Sequence, residues 1–116
     1  MSHVVMEDAA ASVTIQPGAV VSKVVHRGEG LDVTVFGFDT GEGLTEHTAA
    51  RPAIVQVLSG ALRFTVEDEV VPVVPGTWVH MSEGASHALE ALEPTVMLLT
   101  MLRAGPARPG SGPAGS

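Results

Sequence analysis

The chain has 116 residues, 45% of them hydrophobic, so it suits one domain with a real but modest core and leaves no room for a second. Acidic residues outnumber basic ones 13 to 6, for a formal charge of −7, which excludes the basic stripe that phosphate backbones require and speaks against a nucleic-acid partner. With no cysteine, disulfides, thiolate–metal sites and cysteine nucleophiles are excluded as well.

Residues 1–11, "MSHVVMEDAAA", have neither a basic start nor a long apolar stretch. They are expected to form a flexible N-terminal segment rather than a secretory signal, and a cytoplasmic location is expected with it. Gly and Pro then punctuate the chain, at Pro17-Gly18, residues 27–30 and 40–43, Ser59-Gly60, residues 67–69, Pro75-Gly76, residues 82–84 and Glu93-Pro94. Between these turns lie short runs rich in Val, Thr, Ile and Leu. Strands are predicted from Val20 to His26, Leu31 to Phe38, Ala53 to Leu58, Thr77 to Met81 and Thr95 to Leu102.

The stretch "ALRFTVE" alternates, with Leu62, Phe64 and Val66 on one face and Arg63, Thr65 and Glu67 on the other, the pattern of a strand with one wet side. "AIVQVL" is apolar on both faces except at Gln56, as expected of a strand covered twice, by the barrel interior and by a second layer or subunit. No segment has a helical period, and no apolar run approaches membrane-spanning length. Strands at turn spacings of roughly 8–12 residues predict an all-β, antiparallel sandwich or barrel. The folded domain is expected over residues 12–103. The last residues, 104–116, are rich in Gly, Pro and Ser and are expected to be a disordered tail.

Two stretches carry a spacing of their own. The first runs Gly41, "EGLTE", His47-Thr48-Ala49, "ARP", Ala53, "IVQVLS", Gly60; the second runs Gly76, "TWVHM", Ser82-Glu83-Gly84, "AS", His87, "ALE", Ala91. Over about residues 30–102 this arrangement resembles a small single-domain cupin of the RmlC-like type. The resemblance implies a jelly-roll barrel, an antiparallel double-stranded β-helix. In metal-binding cupins the first motif supplies two His and a Glu, and the second supplies a His. This chain keeps His47 and His87, has Ala49 and Ala53 at the other two ligand positions, and has Ser82 and Ala91 where the second motif carries Pro and Asn.

The resemblance therefore implies a divalent metal, Fe, Mn, Ni, Cu or Zn, held inside the barrel by His47 and His87. Two imidazoles leave most of a shell to fill. The candidates to complete it are water, His80 on the strand entering the second motif, and Gln56 beside the lost Glu position. Strand parity puts Gln56 with Ile54 and Leu58, opposite to Ala53, Val55 and Val57, unless a bulge intervenes. Ala49, Ala53 and Trp78 are expected at the pocket wall.

Glu46 reads as a solvated carboxylate, and Met81, Met97 and Met101 as core filler. His3 and His26 read as surface residues. Arg51 and Arg63 are candidate partners for an acidic ligand at the mouth, against a default of solvated charge. The implied activity is that of a cupin acting on or binding a small organic molecule, of dioxygenase, isomerase or lyase type, with no catalytic residue and no organic cofactor singled out. The alternative is a metal-free sensor or binding protein, with His47 and His87 as hydrogen-bonding groups. A homodimer is expected in either case, and neither a nucleic acid nor a membrane is expected as partner.

Overall fold

The computed structural model describes residues 2–103; the tail expected over residues 104–116 lies outside the described residues. Nine strands are present among them: β1 (Val20–Arg27), β2 (Leu31–Phe38), β3 (Gly43–Thr48), β4 (Ala53–Ser59), β5 (Leu62–Val66), β6 (Glu69–Val73), β7 (Trp78–Met81), β8 (Ser86–Ala91) and β9 (Thr95–Leu102). They form two sheets, one ordered β1-β2-β9-β4-β7 and the other β3-β8-β5-β6. Every strand pair is antiparallel, so the fold is an all-β jelly roll.

The strand period explains what fills the space between the sheets. Along β4, Ala53, Val55 and Val57 are buried and Ile54, Gln56 and Leu58 only half-buried. Along β5, Leu62 and Phe64 point inward and Arg63 outward, to Glu90 at 2.9 Å. The core gathers Phe38, Val55, Leu62, Phe64, Val73 and Met97, each with almost no exposed surface. Burying a side chain of this size contributes about 1.5–3 kcal/mol.

Three strands had no counterpart in the sequence reading. β3 is interrupted by a bulge. β6 carries Pro72, which is tolerated because β6 is the edge of its sheet. β8, "SHALEA", is poor in β-branched residues. Val33 and Val35, on the outer face of β2, are also buried. A single 3-10 turn, Ala9–Ser12, lies against β2 and β9, and Val13 and Ile15 lie close to Gly37.

The motif glycines have a backbone reason. Gly41, Gly60, Gly76 and Gly84 all have φ between 83° and 98°, a region that side-chain-bearing residues rarely adopt. Gly60 is the most confined: an added Cβ would collide with the Pro94 carbonyl and with Thr95. There the Thr95 hydroxyl accepts from the Ala61 N–H (3.1 Å) and donates to the Glu93 carbonyl (2.7 Å), closing the turn with this buried hydroxyl paired.

Candidate functional site

The two spaced motifs lie directly on each other. Gly41 donates to the Ala91 carbonyl and Ala91 to the Glu42 carbonyl, both at 2.8 Å, joining the start of the first to the end of the second. At the other end Ala49 donates to the Ala85 carbonyl (2.9 Å) and Gly84 to the Ala49 carbonyl (2.7 Å). Between these ties His47 pairs with His87 across β3 and β8.

A bulge decides which way His47 faces. Leu44 pairs with Leu89 and His47 with His87, so β3 spends two residues, Thr45 and Glu46, where β8 spends one. In a regular strand, residues three apart point to opposite faces. The extra residue reverses that parity, and Leu44 and His47 both line the interior.

The His47 and His87 ring centroids are 4.0 Å apart, inclined at 62°. His87 is 7% exposed and lies near-parallel to Phe64 at 6.1 Å; His47 sits at the open end and is exposed. Each ring is fixed through Nδ1: His47 to the Thr45 carbonyl at 2.8 Å and His87 to the Ala85 carbonyl at 3.1 Å. A carbonyl only accepts, so each Nδ1 carries the hydrogen and each neutral ring keeps its lone pair on Nε2. Burial pushes His87 below the ordinary imidazole value. The bond to Ala85 works against that, and the charge of a protonated His47 would lower it further.

The rings stand at one side of a cavity of about 230 Å³. Its wall is mostly apolar, with Phe36, Val55, Leu89 and Leu99 from the strands and Met81 and Met101 flanking Ala53. Ala49 and Ala53 both line it. Its other polar lining side chains are Thr48 and Arg51. Arg51 follows β3 in a loop, and its Nη2 donates to Asp32 Oδ2 at 3.1 Å.

The structure does not bring Gln56, His80 and Trp78 to this cavity. β4 and β7 pair Gln56 with Trp78 and Ile54 with His80, so all four share the outer face of the five-stranded sheet. Trp78 is 60% exposed and lies 6.2 Å from the His80 ring. The bulge that would have turned Gln56 inward is in β3 instead, and the β4–β9 irregularity falls after Val57. Among the described residues, no three His, Cys, Asp or Glu side chains are grouped so as to hold a metal ion. The donor set thus falls short of the family's four ligands.

No protein-family profile matches the chain, and no curated protein matches it. Solved structures do. A conserved protein of unknown function from Streptococcus pyogenes is 30% identical, with a TM-score of 0.78 over 90% of this chain and 92% of that one. A cupin 2 conserved barrel domain protein from Leptotrichia buccalis is 31% identical over 81% of this chain, with a TM-score of 0.74, although the match spans only 46% of that protein. A cupin superfamily protein from Desulfitobacterium hafniense shares the fold at a TM-score of 0.77 and 20% identity, over 83% of this chain and 88% of that one. The chain shares the jelly-roll barrel fold of the cupins.

Proposed function

We propose that this cupin-fold protein binds a small organic molecule in its barrel without a metal, through a hydrogen bond that the ligand donates to the His47–His87 pair. One observation carries the reading: both rings spend Nδ1 on backbone carbonyls, which leaves two Nε2 acceptors at the wall of an otherwise apolar cavity. The volume is below the roughly 300–1,000 Å³ of pockets for drug-sized molecules, so the ligand is small. The lowered proton affinity of His87 keeps that ring neutral and accepting at physiological pH. A hydroxyl or phenol fits this chemistry better than a group with acceptors alone.

A second reading has its own support. Metal-ligating histidines are typically oriented by a hydrogen bond from the other ring nitrogen, and both rings have one. On that reading Fe, Mn, Ni, Cu or Zn would sit on the two Nε2 atoms with water in the remaining positions, and the protein would be an enzyme of dioxygenase, isomerase or lyase type. Alanine at positions 49 and 53, and the outward placement of Gln56 and His80, weigh against it.

Two measurements on protein purified without a polyhistidine tag decide between them. Metal content is expected below about a tenth of an equivalent, with no thermal stabilisation by divalent ions. Phenol is expected to raise the melting temperature and anisole, its methyl ether, is not, with the phenol effect lost in a His47→Ala/His87→Ala double variant. About one equivalent of metal, lost in that double variant, would overturn the metal-free reading in favour of the second.

A further inference from the structure

Asp32 is 8% exposed and accepts from two guanidinium groups, Arg51 through Nη2 at 3.1 Å and Arg103 through Nη2. Register explains its position: Asp32 pairs with Met101, and Met101 pairs with Ala53, so the carboxylate ends a row of inward-facing residues at the edge of the cavity. Burial alone would push the Asp32 carboxyl up; the hydrogen bonds and charges of the two arginines outweigh that and leave it below the ordinary carboxylate value. It is ionised at neutral pH. One negative charge then faces two positive ones, and the cluster keeps a net charge of about +1 in a chain whose total is −7.

The two arginines differ in what else they touch. Arg103 continues β9 and is tied to the Gly30 carbonyl by its backbone. Arg51 lines the cavity, and its Nη2 also lies 3.7 Å from the Met101 sulfur. Asp32 and Met101 thus fix the guanidinium by one nitrogen. A guanidinium has five N–H donors in a planar fork, and no other side-chain hydrogen bond of Arg51 is found among the described residues. A cation that served only to neutralise Asp32 would duplicate Arg103 and would not need to face the cavity.

Resting on the reading that His47 and His87 take a hydrogen-bond donor in a metal-free barrel, we propose that Arg51 recognises a carboxylate, so that the ligand class is a small hydroxy acid. The apolar body lies among the strand side chains, the hydroxyl donates to the Nε2 of one ring of the histidine pair, and the carboxylate meets the guanidinium fork. This deepens the role of one cavity and assigns Arg51, a residue of the loop between β3 and β4, as a specificity-determining residue.

The test compares 4-hydroxybenzoate with 4-hydroxybenzamide by calorimetry or ligand-observed NMR. The two share ring and phenol and differ in charge. The acid is expected to bind at least about tenfold more tightly, the scale of one charge-assisted hydrogen bond. In Arg51→Gln that preference is expected to vanish, the acid falling to the level of the amide, while phenol, which has no group to meet the fork, still raises the melting temperature and so shows that the cavity is intact. Arg51→Lys, which keeps the charge and loses the fork, is expected to retain part of it.

Equal binding of acid and amide would overturn the carboxylate assignment and leave the histidine reading standing. So would an Arg51→Gln protein that still prefers the acid. Failure of both compounds at millimolar concentration in the unaltered protein would overturn the two readings together. A fall in melting temperature in Arg51→Gln with the acid preference kept would reduce the Asp32–Arg51 pair to a structural tie.

Discussion

His87 shows how far a single side chain carries the physics of the site. Its imidazole is held below its ordinary value by burial, against the pull of the Ala85 carbonyl, and the unfolded chain takes up its proton near the unperturbed value of about 6.5. Below that value the unfolded state binds more protons than the folded one, so stability falls as pH is lowered from neutral until the folded His87 also titrates. The melting temperature is therefore expected to drop between neutral pH and about pH 5.5, and His87→Gln is expected to flatten that slope. A slope unchanged in the variant would place the titration elsewhere. Asp32 and Asp39 act in a separate window: both carboxyls lie below the ordinary 3.8, Asp39 through backbone N–H groups of Gly18 and Thr40, so their contribution is lost only as the solution turns more acid than that. His47 and His87 were legible in the sequence because two frames fix their spacing. Arg51 was not, beyond a general candidacy, because a loop residue has no parity and its partner Asp32 lies on another strand.

At the scale of elements, the bulge in β3 is the feature on which the histidine pair depends. It was invisible in the sequence, since neither Thr45 nor Glu46, the residues at the bulge, is a glycine, and "LTEHT" lacks the alternation that would mark an extra residue. Its register makes a sharp prediction. Leu44 and His47 are already aligned with Leu89 and His87, which are two residues apart. Deleting Glu46 leaves Leu44 and His47 also two apart, the same-face spacing of a regular strand. The deletion is expected to fold, to keep both side chains inward and to cost about 1 kcal/mol, the scale of an ordinary substitution. Deleting Val55 from the unbulged part of β4 instead reverses one end of the strand against β7 and β9 and is expected to prevent folding. Circular dichroism and urea denaturation of the two deletion proteins distinguish them; equal damage would mean that the bulge is not the absorber of the extra residue. Strand parity was otherwise a reliable guide. It puts Gln56 on the outer face unless a bulge intervenes, and β4 is regular up to Val57, so Gln56, a candidate ligand, does not reach the cavity. β2 and β9 follow the sequence reading from end to end because β-branched and aliphatic runs bounded by turns leave little choice.

For the whole molecule, the outer face of the five-stranded sheet remains to be accounted for. Ile54, Leu58, Leu98 and Leu102 are only half-buried there, Trp78 is 60% exposed, and the register sets Gln56 between Trp78 and Leu98. Contiguous apolar surface of this kind, with an aromatic anchor and one amide able to pair across a two-fold axis, fits self-association of two copies through the same patch. A small barrel also gains most from it, because a chain of this size buries a limited share of its surface alone. The protein is expected to run at about twice its 11.9 kDa mass in light scattering at micromolar concentration. Trp78→Glu, which places a charge on the patch at the sheet's edge strand, is expected to shift it to monomer and lower the melting temperature, while a monomer bearing an intact 4-hydroxybenzoate site would show that pairing and binding are separate. A monomeric unaltered chain across the micromolar range would end the pairing argument and leave Trp78 an ordinary exposed aromatic. The cavity faces the opposite side of the same sheet, through Ala53, Val55 and Met101, so a pairing surface at Ile54 and Trp78 would form the back wall of the binding site. Loss of the pair is then expected to loosen β7 and β4 and weaken binding without removing any group that touches the ligand, a change in affinity that grows on dilution in the unaltered protein and is independent of concentration in Trp78→Glu.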